Sequence, residues 1–130
     1  MALEVHVVTP EREVWAGEAQ MVIARGVEGE VGILPGHAPL LIRLAIGPLR
    51  IQRDDEEQFA VVDGGFLHVV SGGETTRVDV LAPTASLLSE IDLERERRRV
   101  GEMEARIAEH DDAEAHVELA KALARVNLRG

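Results

Sequence analysis

The chain contains no cysteine and no tyrosine, and it has only one tryptophan, Trp15, and two phenylalanines, Phe59 and Phe66. The lack of thiols excludes a disulfide framework, a cysteine-based zinc site and a cysteine nucleophile. Three such aromatics in 130 residues are too few for a base-stacking surface. Basic residues are also scarce, 14 against 24 acidic ones, which gives a formal net charge of −10. An acidic chain repels phosphate backbones, so nucleic acid is not an expected partner.

Long hydrophobic runs are also missing from the sequence. No apolar stretch approaches the roughly 18 residues needed to span a bilayer. The first residues, MALEVHVVTPERE, lack the basic and apolar regions of a secretory signal. Hydrophobic residues nevertheless make up 45% of the chain, which is enough for a packed core. We therefore expect a folded protein in the cytoplasm.

Residues 1–84 have the pattern of short β-strands. Alternating, β-branched segments occupy 3–9, 13–26, 39–53 and 58–83, and the glycine pairs within them are typical of hairpins. Closely spaced strands without helical patterns between them favour an antiparallel sandwich or barrel. This region is the first predicted domain.

Residues 85–130 change to a helical period and form the second predicted domain. The spacing of Ser89 and Asp92 resembles a capping box and predicts a helix start. Asp111 and Asp112 interrupt the pattern and offer an N-cap for a second helix over about 113–128. The predicted fold class is therefore α+β, with an antiparallel β domain followed by an antiparallel two-helix hairpin.

The second helix has apolar residues on two nearly opposite sides. One interpretation is that the helix lies between the first helix and the β domain. The other is that one apolar side binds a second partner when the hairpin moves. The two arcs are Val117, Ala120, Ala124 and Leu128, and Leu119, Leu123 and Val126.

The stretch GEVGILPGHAPLL, residues 29–41, combines turn residues with a short apolar run. Pro35 and Gly36 suit the central positions of a type II turn, because proline fixes φ and glycine accepts a positive φ. A catalytic alternative would use His37 with a carboxylate such as Asp63. No second histidine stands at metal-ligand spacing from His37, so no metal site is predicted.

Three segments resemble the bacterial F-type ATP synthase epsilon subunit, which corresponds to the mitochondrial delta subunit. They are EGEVGILPGHAPLL (28–41), VDGGFLHV (62–69) and IDLER (91–95), in the order and spacing of that family. The resemblance extends from VVTPEREVW to ELAKALARV. It implies a ten-stranded β-sandwich in the central stalk, and a non-catalytic rotor subunit that couples the c-ring to the catalytic head.

The resemblance also implies partners and a location. The sandwich of this family binds the gamma subunit and the polar loops of the c-ring. The corresponding docking edge of this chain comprises Glu30, Val31, Ile33, Leu34 and His37. The protein is then expected as a peripheral protein at the cytoplasmic face of the bacterial cell membrane, with membrane contact only through the complex.

A regulatory role for the hairpin is implied in the same way. The family's hairpin folds down on the sandwich, or extends along gamma towards the alpha and beta subunits and blocks ATP hydrolysis. Arg95, Arg98 and Arg99 form a basic ridge that is expected to contact an acidic loop of the beta subunit. The alternative is a solvated helix face with Glu–Arg pairs at i,i+4.

Some members of the family bind regulatory ATP through an I/L-D-x-x-R-A motif. Ile91, Asp92 and Arg95 match it, and Glu96 stands where the motif has alanine. Lys121 and Arg125 fall near the family's second basic contact set. The resemblance implies no required cofactor, with ATP as the candidate regulatory ligand. A stand-alone ATP-sensing module is the alternative function. No Walker A string is present, so hydrolysis by this chain is not expected.

Overall fold

The computed structural model describes residues 2–129, apart from the side chain of Arg129. Its strands are β1 (Leu3–Val8), β2 (Glu13–Ala19), β3 (Met21–Gly26), β4 (Gly29–Ile33), β5 (Leu40–Gln52), β6 (Glu57–Gly72), β7 (Thr75–Leu81) and β8 (Ala85–Leu87). The helices are α1 (Leu93–Glu109) and α2 (Ala113–Arg129), and a 3₁₀ turn over Leu88–Glu90 precedes them.

The strands are joined in the order β2-β1-β7-β6-β5-β3-β4, and β8 pairs with β6. β6 pairs with β8 through residues 60–62 and with β7 through residues 66–72. The long strand β6 thus serves two neighbours in succession. Residues 2–129 form eight continuous strands, where the resemblance implies ten. The pairing is antiparallel as predicted, except that β1 and β7 run parallel.

The core of the sandwich follows the alternation seen in the sequence. In β1, Leu3, Val5 and Val7 are fully buried while the residues between them face outwards. Each such side chain contributes about 1.5–3 kcal/mol through burial. The fully buried core side chains of the other strands are mainly Val22, Ile33, Leu49, Ile51, Leu67, Val69, Val78 and Val80.

Two glycines mark the point where β6 changes its neighbour. Gly64 and Gly65 have φ angles of +88° and +104°, a region that side chains with a Cβ rarely adopt. A Cβ on Gly65 would lie 2.0 Å from the carbonyl oxygen of Leu81. The backbone N–H of Asp63 donates to the carbonyl oxygen of Thr84 at 3.0 Å. The VDGG segment therefore holds Asp63 at a fixed corner of the sandwich.

The second helix of the hairpin begins where the sequence predicts, whereas the first helix begins with a different N-cap residue. Asp92, rather than Ser89, is the N-cap of α1, because its carboxylate accepts from the backbone N–H of Arg95 at 3.2 Å. Asp112 caps α2 by accepting from the N–H of Ala115 at 2.9 Å. That bond lowers the pKa of the Asp112 carboxyl.

The second helix lies between α1 and the sandwich, as the first interpretation of its two apolar sides predicts. α2 packs against β5 and β6, whereas the principal packing partner of α1 is α2. Burial is thin in both helices, because Met103 is the only buried residue of α1. On α2, Val117 and Leu123 remain 45% and 38% exposed.

The sheet extends three residues beyond the predicted domain boundary at residue 84. β8 pairs with Ala60–Val62 of β6, and Ala85 and Leu87 pack against the core. A strand of three residues is too short to produce a recognisable periodicity. The segment that follows is tied down as well, since Arg12 donates twice to the Glu90 carboxylate, at 2.8 Å each. This ion pair holds the pKa of Glu90 below its ordinary value.

We predict that a chain ending after Glu90 folds alone, and that one ending after Thr84 is less stable. The shorter chain loses β8 and uncovers the Ala60–Val62 ladder. Loss of the half-buried Ala85 and Leu87 side chains lowers the free energy of unfolding by about 2 kcal/mol. Urea unfolding followed by circular dichroism measures the difference. Equal urea midpoints for the two truncated chains would contradict this role of β8.

Candidate functional site

A cleft of about 580 Å³ lies where both helices meet the sandwich. Its walls carry charges of both signs, with five basic side chains and four carboxylates. Because the two signs nearly balance, the cleft has only a small net positive charge. The basic residues are Arg95, Arg98, Arg99, Lys121 and Arg125, and the acidic ones are Asp63, Glu96, Glu102 and Glu118.

At the inner end of the cleft, Arg125 of α2 forms a buried bidentate ion pair with Asp63 of β6. Nη1 of Arg125 lies 2.8 Å from Oδ1 of Asp63, and Nη2 lies 2.7 Å from Oδ2. The two side chains are only 11% and 2% exposed. Parallel charge-assisted hydrogen bonds of this kind are among the strongest in proteins. This pair directly joins the hairpin to the sandwich.

The hydrogen-bonding capacity of the ion pair is well satisfied by its surroundings. The Thr84 hydroxyl donates to Oδ2 of Asp63. Nε and Nη2 of Arg125 donate to the Ser86 hydroxyl oxygen at 3.3 and 3.2 Å, and Nη1 also donates to the carbonyl oxygen of Lys121 at 3.0 Å. Every guanidinium nitrogen of Arg125 therefore has an acceptor within the protein.

The rim of the cleft is more open and less completely paired. Arg99 of α1 lies 3.3 Å from the Glu118 carboxylate of α2, and Lys121 lies 3.4 Å from the same group. Within residues 2–129, Arg95 and Arg98 have no carboxylate within ion-pair distance. The basic ridge predicted from the sequence thus lines the cleft, with two of its three guanidinium groups available to an anion or a partner.

The structure brings together part of the predicted ATP-binding set. Arg95, Lys121 and Arg125 line the cleft. Ile91 is a buried residue, 7% exposed, and the carboxylate of Asp92 is engaged as the N-cap of α1. Neither side chain lines the cleft. Glu96 does line it, so the departure from the family motif places a carboxylate beside the basic groups.

The sequence did not indicate the partner of Arg125. Arg125 was predicted to contact phosphate, and Asp63 was considered only as the carboxylate of a catalytic alternative. The two residues are 62 positions apart, and no local period connects them. The available signal was an aspartate followed by two glycines between apolar strand segments, but the sequence does not show which cation it meets.

The predicted docking edge divides into exposed and buried residues. Glu30 is exposed, Leu34 is 55% exposed, and Val31 and His37 are partly exposed. Ile33 is fully buried in the core, which corrects its assignment as a docking residue. The alternation of β4 explains the difference, because successive side chains of a strand point to opposite faces.

The turn after β4 holds His37 in a fixed place. The backbone N–H of His37 donates to the carbonyl oxygen of Leu34 at 3.0 Å, and Gly36 has a φ of +85°. These features match the predicted turn around Pro35 and Gly36. The Ser71 hydroxyl donates to the carbonyl oxygen of His37 at 2.6 Å. The docking edge is therefore braced against the β6–β7 hairpin.

A second, smaller pocket of about 360 Å³ lies beside the docking edge. Val27 and Leu41 line it and are 55% and 65% exposed. Neither residue was predicted to bind a partner. In β5, Leu41 and Arg43 are exposed whereas Leu44 is buried. The exposure of Leu41 therefore follows from strand alternation. Because Glu28 and Glu30 line the same pocket, this part of the edge is apolar as well as acidic.

The catalytic alternative has no geometric support. His37 lies in the turn after β4, with Nδ1 against the carbonyl oxygen of Ala38, and the Asp63 carboxylate is occupied by Arg125. Within residues 2–129, no three His, Asp or Glu side chains are grouped to hold a metal ion. In the same residues, no helix is long and apolar enough to cross a membrane.

Comparison with known protein sequences gives matches along nearly the whole chain. Residues 2–88 match the family described as ATP synthase, Delta/Epsilon chain, beta-sandwich domain. The ATP synthase epsilon chain of Thermobifida fusca is 46% identical over 127 residues, which cover 95% of this chain and 89% of that protein. The ATP synthase epsilon chain of Streptomyces coelicolor is 38% identical over 128 residues, covering 96% and 100% of the two chains.

Solved structures show the same architecture. A chain in the cryo-EM structure of the Euglena gracilis mitochondrial ATP synthase, containing OSCP, F1 and the c-ring, superposes with a TM-score of 0.76 and 25% identity. The superposition covers 97% of this chain and 78% of that one. A chain of the Tetrahymena thermophila mitochondrial ATP synthase central stalk and c-ring superposes with a TM-score of 0.58 at 15% identity. The second match is a likeness of fold alone.

We predict that Ile33→Ala destabilises the protein and that Leu34→Ala does not. Removal of the fully buried Ile33 side chain leaves a cavity and lowers the free energy of unfolding by about 2–5 kcal/mol. The exposed Leu34 contributes little to stability, so its replacement changes that free energy by no more than about 0.5 kcal/mol. Urea titration of both variants measures the difference. Similar midpoints for the two would show that Ile33 is not a core residue.

Proposed function

The chain belongs to the ATP synthase delta/epsilon family, and we propose that it is a central-stalk subunit coupling the rotation of the c-ring to the catalytic head. The observation that carries this proposal is that proteins named ATP synthase epsilon chain align with 95–96% of the chain, helices included. Its role in the complex is non-catalytic.

The docking edge supports the proposed contact with the gamma subunit and the c-ring loops. Exposed Val27 and Leu41 line one pocket with Glu30 and offer apolar area near its carboxylate. Leu34 is exposed at the other end of β4. Exposed apolar groups gathered at one edge are typical of a protein-binding surface, and a braced turn loses little conformational entropy on binding. We infer that this edge meets gamma and the c-ring at the cytoplasmic face of the bacterial membrane, where the subunit is peripheral.

We further propose that the hairpin regulates ATP hydrolysis by leaving the sandwich. α1 packs chiefly on α2, and its only buried residue is Met103, so little apolar surface opposes its movement. In the folded-down position seen here, the basic ridge lines the cleft. Extension would free Arg95, Arg98 and Arg99 to meet an acidic loop of the beta subunit, beside the alpha subunits.

ATP is the candidate regulatory ligand, and the charges of the cleft favour only weak binding. Arg95 and Arg98 are free to contact phosphate oxygens. Four carboxylates also line the cleft and oppose a polyphosphate anion. A stand-alone ATP-sensing module is a less favoured function, since its relatives carry the name of a subunit of a larger complex.

Loss of the basic ridge is predicted to raise ATP hydrolysis in the assembled complex. Replacing Arg95, Arg98 and Arg99 together by alanine would weaken the extended form more than the folded one. In the folded form, Arg95 and Arg98 have no ion-pair partner among residues 2–129. A differential loss of about 1.4 kcal/mol shifts the ratio of the two forms tenfold. The measurement is the ATPase rate of membranes containing the triple variant, compared with wild type and with a chain ending after Glu90.

The control is Arg97→Ala, which removes a charge from α1 outside the cleft and breaks only a pair with Glu94 of the same helix. Activation by truncation but not by the triple variant would mean that the hairpin inhibits through other residues. If neither change raises the ATPase rate, the proposed inhibition by the hairpin is wrong.

We predict that Glu96→Ala strengthens ATP binding to the isolated chain and that Arg95→Ala weakens it. The first change removes a carboxylate from the cleft, and the second removes an unpaired guanidinium group. Each change of one charge at a partly exposed site corresponds to a few-fold change in affinity, or about 1 kcal/mol. Isothermal titration calorimetry with ATP measures both. Identical affinities for the two variants would place ATP elsewhere.

A further inference from the structure

The buried ion pair between Asp63 and Arg125 resembles the binding of an anionic ligand by a basic cleft. The Asp63 carboxylate receives two parallel N–H bonds from the guanidinium group, at 2.8 and 2.7 Å, and a third bond from the Thr84 hydroxyl. Arginine binds a phosphate group through the same two-point geometry. The carboxylate thus occupies the place where a phosphate would meet Arg125.

We propose that Asp63 is an internal ligand of the cleft, which holds the hairpin on the sandwich without nucleotide and excludes phosphate from Arg125. This inference deepens the proposed function, because it rests on a hairpin that can leave the sandwich. The docked form is then set by the protein's own carboxylate. ATP would be limited to the rim, where Arg95 and Arg98 are unpaired.

The position of Asp63 makes it suitable as a fixed ligand. Its backbone N–H is bonded to Thr84, and the next two residues are glycines with positive φ angles. A Cβ on Gly65 would clash with the backbone of Leu81, so this corner cannot readily rearrange. Its carboxylate is 2% exposed. A group held in place before binding loses little freedom when its partner arrives.

An external phosphate would have to displace Asp63 and leave that carboxylate buried without a cation. An unpaired buried charge is strongly unfavourable. Glu102 and Glu118 also line the cleft and repel an incoming anion. Asparagine at position 63 would remove the internal charge and leave Arg125 free to pair with phosphate. The proposal therefore predicts that one substitution both loosens the hairpin and creates an anion site.

The test uses the full chain and a distance label. The sequence has no cysteine, so Ala16→Cys on β2 and Ala108→Cys on α1, both exposed, accept spin labels at defined places. Electron–electron distance measurements then give the populations of docked and undocked hairpin. The variants are Asp63→Asn and Arg125→Gln, each measured with and without pyrophosphate or ATP.

The matched control is Glu57→Gln, which makes the same carboxylate-to-amide change on the same strand. Glu57 pairs with Arg50 at the surface, with bonds of 2.9 and 2.5 Å. Because surface pairs contribute little, this variant is expected to keep the wild-type distance. It shows whether loss of any ion pair on β6 is enough to move the hairpin.

We expect both cleft variants to shift the hairpin towards the undocked form by more than about a hundredfold in population ratio. Pyrophosphate and ATP should restore docking in Asp63→Asn but not in Arg125→Gln, and leave the wild type unchanged. Calorimetry should show at least about tenfold tighter pyrophosphate binding by Asp63→Asn than by wild type. Docking of Asp63→Asn equal to wild type, or docking of wild type that requires ATP, would overturn the proposal.

The ATPase rate of membranes containing Arg125→Gln separates this inference from the proposed function, because the ATP of the assay is not expected to restore docking in that variant. An undocked hairpin in the free chain with an unchanged ATPase rate would support the internal ligand and contradict regulation by the hairpin. A docked hairpin in the free Asp63→Asn chain without nucleotide or pyrophosphate would overturn the internal ligand, whatever the ATPase rate.

Discussion

The position of the hairpin depends on one buried ion pair. α2 buries two alanines almost completely, Ala115 and Ala122, and alanine side chains offer little apolar area. The same helix inserts the Arg125 guanidinium against Asp63, where both charges are shielded from water. Removal of one partner of such a pair costs about 3–5 kcal/mol, which is comparable to the burial of a large core side chain. Loss of either partner would leave a buried unpaired charge on the docked hairpin and is therefore expected to favour its release.

This arrangement separates a stable sandwich from a hairpin that is attached to it through few contacts. The sandwich has a continuous core of fully buried aliphatic residues and a braced turn that presents Leu34 and His37. The hairpin depends on a few contacts, and α1 is attached chiefly through α2. The proposed function requires a subunit that keeps its hold on the stalk while its hairpin moves. The uneven distribution of burial between the two parts meets that requirement.

Much of the fold was predictable from local patterns, whereas the main contact of the site was not. Strand alternation, the turn at Pro35 and Gly36 and the break at Asp111 each depend on neighbouring residues. The parallel pairing of β1 with β7, the short strand β8 and the Asp63–Arg125 pair depend on residues distant in sequence. Ile33 is a second example of a residue that the sequence did not place correctly. The family resemblance assigned it to the docking edge, and only its position in the sheet showed that it belongs to the core.

The most direct test of this account is a double-mutant cycle on hairpin docking with Asp63→Asn, Arg125→Gln and the combined variant. If the two side chains stabilise docking through each other, the sum of the two single effects on the docking free energy will exceed the effect of the combined variant. We expect a coupling free energy of about 2–3 kcal/mol, measured from the docked and undocked populations without nucleotide. Additive effects within about 0.5 kcal/mol would contradict the account and leave the attachment of the hairpin to apolar packing.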